Sequence, residues 1–149
     1  MTAKFFVDTN ILIYAYDTSN PDKQTAALQT LDRLVTSGTG VISTQVLADF
    51  FVTVTSDRKF PNALSIVEAG NRIQNYILAW EVVEVTGAIV LEAIRGVKEY
   101  QLSFWDAQIW ATAKLNQIPV VYSEDFNLDA IIEGVRFINP LDPPNTILI

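Results

Sequence analysis

Apolar and polar positions along this chain change their period repeatedly, and each change marks an element. The compact run Phe5, Phe6, Val7 reads as a buried strand at about 3–8. "DKQTAALQTLDRLV" places Ala27, Leu28, Leu31, Leu34 and Val35 at helical spacing, which predicts a helix over 22–36 that "SGTG" at 37–40 stops. "VIS" at 41–43 is a short strand. "TQVLADFFVTVTS" at 44–56 is read as a helix despite its β-branched residues, because Val46, Leu47, Phe50 and Val54 make one face. Pro61 is taken to start a helix over 61–79, and the alternating "EVVEV" at 81–85 to form a strand. Thr86 can cap a helix over 87–100, and a further helix covers about 104–117. "IPVVYS" at 118–123 is a buried strand. A short helix near 127–133, a last strand "VRFIN" at 135–139 and a proline-rich tail over 140–149 complete the reading.

Strands that alternate with helices and carry near-continuous apolar runs predict an α/β fold, a mainly parallel sheet with helices on both faces. At 149 residues and 50% apolar composition the chain suits one domain over 1–149 with a sizeable core. No run of about 18 uncharged apolar residues exists, so no membrane span is expected. Asp8 falls where the apolar stretch of a secretory signal would lie, so a cytoplasmic location is expected.

Two absences narrow the chemistry. With no cysteine and no histidine, a thiolate nucleophile, a Ser-His-Asp triad and a Cys/His zinc site are excluded. Catalysis must then use carboxylates, hydroxyls, amides, Lys, Arg or a metal, and oxygen ligands select hard cations such as Mg²⁺ or Mn²⁺. The net charge of −7 argues against a broad basic footprint for nucleic acid. A carboxylate cluster that holds cations, however, is negative only when empty.

In open parallel sheets, sites form outside the carboxyl ends of strands. Asp8 lies at the end of the first strand; Ser123, Glu124 and Asp125 lie at the end of "PVVY". Each acidic residue also has a plainer role. Asp8, with Thr9 and Asn10, can cap a helix. Asp106 in "LSFWDAQIWATAKL" can complete a capping box begun by Ser103. Asp49 can be a solvated helix residue, Asp125 a turn residue and Glu124 a surface charge. Arg58, Lys59, Arg95 and Lys98 are read as solvated surface rather than phosphate contacts, and Trp105 and Trp110 as core rather than stacking platforms. Taken together the carboxylates need a cation, because like charges brought to one sheet edge are costly unless one joins them.

The stretches "FVDTNILIYAY", "ISTQVLADFFV", "LSFWDAQIWATA" and "VYSEDFN" resemble, in order, the four acidic motifs of the PIN domain family, and more narrowly of the VapC-type toxins of bacterial toxin–antitoxin pairs. The resemblance runs from Phe5 to about Pro140. It implies a three-layer α/β/α fold, Mg²⁺- or Mn²⁺-dependent endoribonuclease activity on RNA, frequent homodimers and a cognate antitoxin that blocks the site. Carried over by motif, Asp8, Asp49, Asp106 and Asp125 form the acidic set, with Asp8 and Asp106 the direct metal ligands. Asn10 and Ser123 orient ligands or waters, and Glu124 rivals Asp125. One departure stands out: the second motif usually carries Glu where this chain has Asp49. The alternative it supports is a catalytically weak PIN domain that binds RNA or a protein. A phospho-acceptor receiver domain would need an N-terminal acidic pair and a late Lys. A haloacid-dehalogenase-like phosphatase would need Asp-x-Asp where this chain has Asp8-Thr9-Asn10.

Overall fold

The computed structural model describes residues 2–126 and 130–142. Its elements are β1 (Phe5–Val7), α1 (Thr9–Tyr14), α2 (Pro21–Ser37), β2 (Gly40–Ser43), α3 (Thr44–Val54), α4 (Ile66–Ala79), β3 (Glu81–Val83), α5 (Gly87–Tyr100), α6 (Phe104–Leu115), β4 (Val120–Tyr122), β5 (Ile131–Ile132) and β6 (Val135–Ile138). The strands form one six-stranded sheet in the order β3-β2-β1-β4-β6-β5. All neighbours are parallel except β5, which runs antiparallel to β6. The mainly parallel α/β architecture expected from the sequence is thus present.

The central strands explain their composition. Every residue of β1 and β2 is buried, which requires helices over both faces of the sheet. Phe6 is registered against Val41 on one side and Val121 on the other. All three residues are fully buried. α6 lies deepest among the helices, with Ala107 through Ala113 buried in an unbroken run, as expected for a helix apolar on nearly every side. Its Trp110 packs into the notch left by Gly96 of α5, where an added Cβ would sit 2.7 Å from the indole ring.

Helix ends follow local signals. Gly38 ends α2 in the left-handed region at φ 68°, its N–H reaching Leu34 and Val35 carbonyls. Ser43, Thr86 and Ser103 cap α3, α5 and α6 through their hydroxyls.

Several expectations need correction. α1 is a helix that the apolar spacing does not predict; Asp8 caps it. α4 does not begin at Pro61. It begins at Ile66, because Ser65 accepts from the Glu68 N–H at 3.1 Å and pairs with its carboxylate, a capping box written in "SIVE". The short helix near 127–133 is not there across 130–133: β5 and β6 form a hairpin turned by Glu133 (φ 49°) and Gly134 (φ 87°), while 127–129 lie outside the described residues. Leu141, within the stretch expected to leave the fold, is buried against the core; residues 143–149 lie outside the described residues.

Candidate active site

β1, β2 and β4 are mutually parallel through β1, so their carboxyl ends reach one edge of the sheet. Asp8 follows β1, α3 follows β2, and Ser123 to Asp125 follow β4. A cavity of about 350 Å³ opens there. Asp8, Asp49, Asp106 and Asp125 all line it, with Thr9, Asn10, Gln45, Lys59 and Trp105 among the other walls. The four acidic residues singled out in the sequence therefore share one space, although they come from four separate segments.

Asp8 is the most constrained. It is buried, its N–H donates to the Tyr122 carbonyl at 3.0 Å, and its extended backbone turns the chain from β1 into α1. Oδ1 accepts from the Thr9 N–H at 2.7 Å and Oδ2 from the Ser123 hydroxyl at 2.7 Å. Capping and site placement are thus both true of this residue. Burial raises its pKa to about 6, against the pull of the Ser123 and Thr9 hydrogen bonds, and the Asp125 and Asp106 charges push the same way as burial.

Asp106 sits in the first turn of α6, where Ser103 Oγ accepts from its N–H at 3.2 Å. Its pKa is raised, first by burial and further by Asp125. Asp125 is oriented by Asn10, whose Nδ2 donates to its Oδ2 at 2.9 Å, while its N–H donates to Ser123 Oγ at 3.1 Å. Ser123 is itself buried, so one hydroxyl ties Asp8 to the Asp125 loop. Asn10 also accepts from the Glu124 N–H at 3.4 Å.

Glu124 is placed elsewhere. Its carboxylate accepts from the Tyr14 hydroxyl at 2.8 Å and from Lys23 Nζ at 2.5 Å, and it does not line the cavity. Asp49 lies within the cavity but in different company. Burial raises its pKa, while Gln45 and the charge of Lys59 lower it. Asp8 and Asp106, by contrast, feel Asp125.

Three further wall residues are passed over or read otherwise in the sequence: Gln45 goes unremarked, Lys59 reads as solvated surface and Trp105 as core. Gln45 is buried and links α3 to α6: it accepts from Gln108 Nε2 at 2.8 Å and donates to the Trp105 carbonyl at 3.3 Å. Lys59 follows α3 on a turn anchored by buried Phe60. Trp105 is 63% exposed, whereas Trp110 is fully buried; the core reading holds for Trp110 and fails for Trp105. Only the "WD" pairing, which sets Trp105 beside a first-turn carboxylate, marks it in the sequence. Of the other cations, Arg95 is occupied by Glu92 and Glu133, both at 2.6 Å.

The donors suit a hard divalent cation. They are all oxygens, and Thr9, on the cavity wall, buries an Oγ1 that has no hydrogen-bond partner. Among the described residues no three acidic side chains stand together as a ready ligand set. An ion here would be held by one or two carboxylates with water completing its shell, which is the habit of Mg²⁺.

The profile of the PIN domain family matches residues 5–133. No curated protein matches the chain. Among solved structures, a toxin–antitoxin complex from Klebsiella pneumoniae is similar at TM-score 0.66 and 21% identity, covering 93% of this chain and 98% of that one. The Sarcin-Ricin loop cleaving toxin VapC20 of Mycobacterium tuberculosis is similar at TM-score 0.61 and 20% identity, covering 89% and 99%. DNA-bound VapBC from Salmonella typhimurium is similar at TM-score 0.65 and 15% identity, covering 93% and 99%. These likenesses are of fold, and with the profile running from β1 to the β5–β6 turn they place the chain in the PIN domain family.

Proposed function

We propose that the protein is a Mg²⁺- or Mn²⁺-dependent endoribonuclease and the toxin of a toxin–antitoxin pair. One observation carries this reading: buried Asp8, with both oxygens held, opens onto the same cavity as Asp106 and Asp125. The similar structures, one named as a toxin–antitoxin complex and one as a cleaving toxin, support it.

Asp8 and Asp106 would hold the cation, with Asp125 beside them. When bound, the ion acidifies a water and neutralises charge on the phosphodiester. The chain's own work is positional. Ser123 fixes the Asp8 carboxylate, and Asn10 fixes that of Asp125. The carboxylate lone pairs that these bonds leave free face the cavity that the acidic residues line. Asp49 and Lys59 both line the cavity wall, and the Lys59 charge favours the ionised form of Asp49. An antitoxin would silence such a site by placing an Arg or Lys beside Asp8 and Asp106, since the guanidinium fork pairs bidentately with carboxylates.

A second reading, a PIN domain that binds without cutting, is favoured by the charge of Lys59 acting on Asp49 and by the open spacing of the carboxylates among the described residues. Cleavage of RNA by purified parent, Asp8→Asn and Asp106→Asn proteins with added Mg²⁺ separates the two. The nuclease reading expects both variants to lose cleavage while keeping the parent's circular dichroism. Cleavage by Asp8→Asn at the parent rate would remove the assignment. Co-purification with the product of the neighbouring gene tests the toxin half: a protein that runs alone, with activity unaffected by that product, counts against it.

A further inference from the structure

We propose that Trp105 is a stacking platform for an unpaired nucleobase and that Lys59 holds the adjoining phosphate, so that these two residues seat the RNA beside the carboxylates. The proposal rests on the ribonuclease reading for its substrate.

Of the three tryptophans, Trp80 is 8% exposed and Trp110 fully buried, while Trp105 stands 63% exposed on the wall of the carboxylate cavity. An indole left in water forgoes the burial that makes Trp stabilising elsewhere in the chain. Its position is nonetheless held. The Trp105 carbonyl accepts from Gln45, Gln45 accepts from Gln108, and both amides are buried. The ring meets Phe104 edge-on, at 5.1 Å between centroids and 81° between planes. Because Trp105 immediately precedes Asp106, a base on the ring lies one residue from a carboxylate of the site.

Lys59 supplies the complementary charge. Among the described lining residues it is the single cation, in a cavity walled by four carboxylates. Its turn is set by the Lys59 and Phe60 N–H groups, which both donate to the Ser56 carbonyl. A phosphate entering this cavity is repelled by the four carboxylates and drawn to Lys59 and to a bound cation.

Overall charge decides how RNA can be held at all. With 10 basic residues against 17 acidic ones, general attraction to a phosphate backbone is weak, and stacking with one or two local charges carries more of the affinity. A base within a duplex is already stacked on both faces and cannot offer one to Trp105; an unpaired base can.

The test uses Asp8→Asn protein in Mg²⁺, so that binding is read without cleavage, and follows tryptophan fluorescence on adding an oligoribonucleotide. The single strand is expected to quench the emission, and the same RNA annealed to its complement is not. Adding Trp105→Phe should abolish the signal yet keep affinity within a few-fold. Trp105→Ala should weaken binding by about 10-fold or more. Lys59→Ala should weaken it and lower the slope of log affinity against log salt by about one. Equal quenching by duplex and single strand, or parent affinity in Trp105→Ala, would overturn the proposal. So would loss of antitoxin co-purification in Trp105→Ala with RNA affinity unchanged, which would assign the ring to a protein contact. Parent protein that cuts RNA while Trp105 stays silent leaves the nuclease standing and the platform fallen. Selective quenching with no cleavage by the parent does the reverse.

Discussion

Ser123 donates its hydroxyl proton to Oδ2 of Asp8 at 2.7 Å, and this one bond joins the ends of β1 and β4 across 115 residues of sequence. Ser123→Ala removes it without changing backbone shape. The Asp8 carboxylate then keeps only its Thr9 contact, and its orientation toward the cation loosens. Mg²⁺-dependent cleavage is expected to fall by about 10–100-fold, with a higher Mg²⁺ concentration at half-maximal rate. Stability should fall by about 1–3 kcal/mol, the range for a buried polar group left unsatisfied. A Mg²⁺ titration of parent and variant checks this, and superimposable curves would show that Asp8 needs no such support.

The burial of Asp8 has a pH signature. Its pKa is about 6 in the folded protein against an ordinary 3.8, so the folded state prefers the protonated carboxyl. The stability this gives is full below about 3.8 and is lost as pH rises through about 6. A gap of about two pH units is worth about 3 kcal/mol. Asn at position 8 is neutral at every pH and escapes that loss. In EDTA, the melting temperature of the parent relative to Asp8→Asn is therefore expected to fall between pH 4 and pH 7, and Mg²⁺ should recover it at pH 7. A difference independent of pH would show that Asp8 ionises without penalty.

Asp49 answers to Lys59 and Gln45 rather than to the other carboxylates. A working but indirect contribution is expected: Asp49→Ala lowers cleavage about 10–100-fold, while Asp49→Glu, one methylene longer, keeps or raises it. Mg²⁺ and Mn²⁺ titrations of the three proteins measure this. Identical metal curves for parent and Asp49→Ala would take Asp49 out of the site.

Glu124 and Asp125 are neighbours with separate fates. Asp125→Asn is expected to cut activity steeply, because it removes a charge from the cavity. Glu124→Gln should leave the rate within about twofold. Its partner Lys23 is partly exposed, so the stability change should stay within about 1 kcal/mol. Initial rates for the two variants decide it; equal losses would return Glu124 to the site.

The parallel sheet and the meeting of carboxylates at its edge are legible in the sequence for a physical reason. Buried parallel strands write themselves as unbroken apolar runs, and their carboxyl ends deliver the next residues to a common edge. Asp8 shows where one-dimensional reading falls short. Capping and site placement look like rival roles along the chain, yet the two oxygens of one carboxylate serve both, through Thr9 and Ser123. α1 escapes notice because six residues give fewer than two turns, too few for a helical period to declare itself. Pro61 draws the expected start of α4 forward, although the capping box at Ser65 is the stronger signal. Trp105 and Trp110 lie five positions apart in "WDAQIW", and only packing against Gly96 tells the buried ring from the open one. Glu124 and Asp125 are adjacent carboxylates that their partners separate, Tyr14 and Lys23 holding the first and Asn10 the second.

The pairing of β1 with β4, Phe5 against Val120, also decides when the carboxylate cavity can exist. Contacts so distant in sequence close late, after a large loss of chain entropy. A chain that stops short of Ser123 lacks the hydroxyl that holds Asp8, and one that stops short of Asp125 lacks a carboxylate of the cavity. The carboxylates share one cavity only in the whole sheet, so the site has no partial form: it exists with the β1–β4 pairing or not at all.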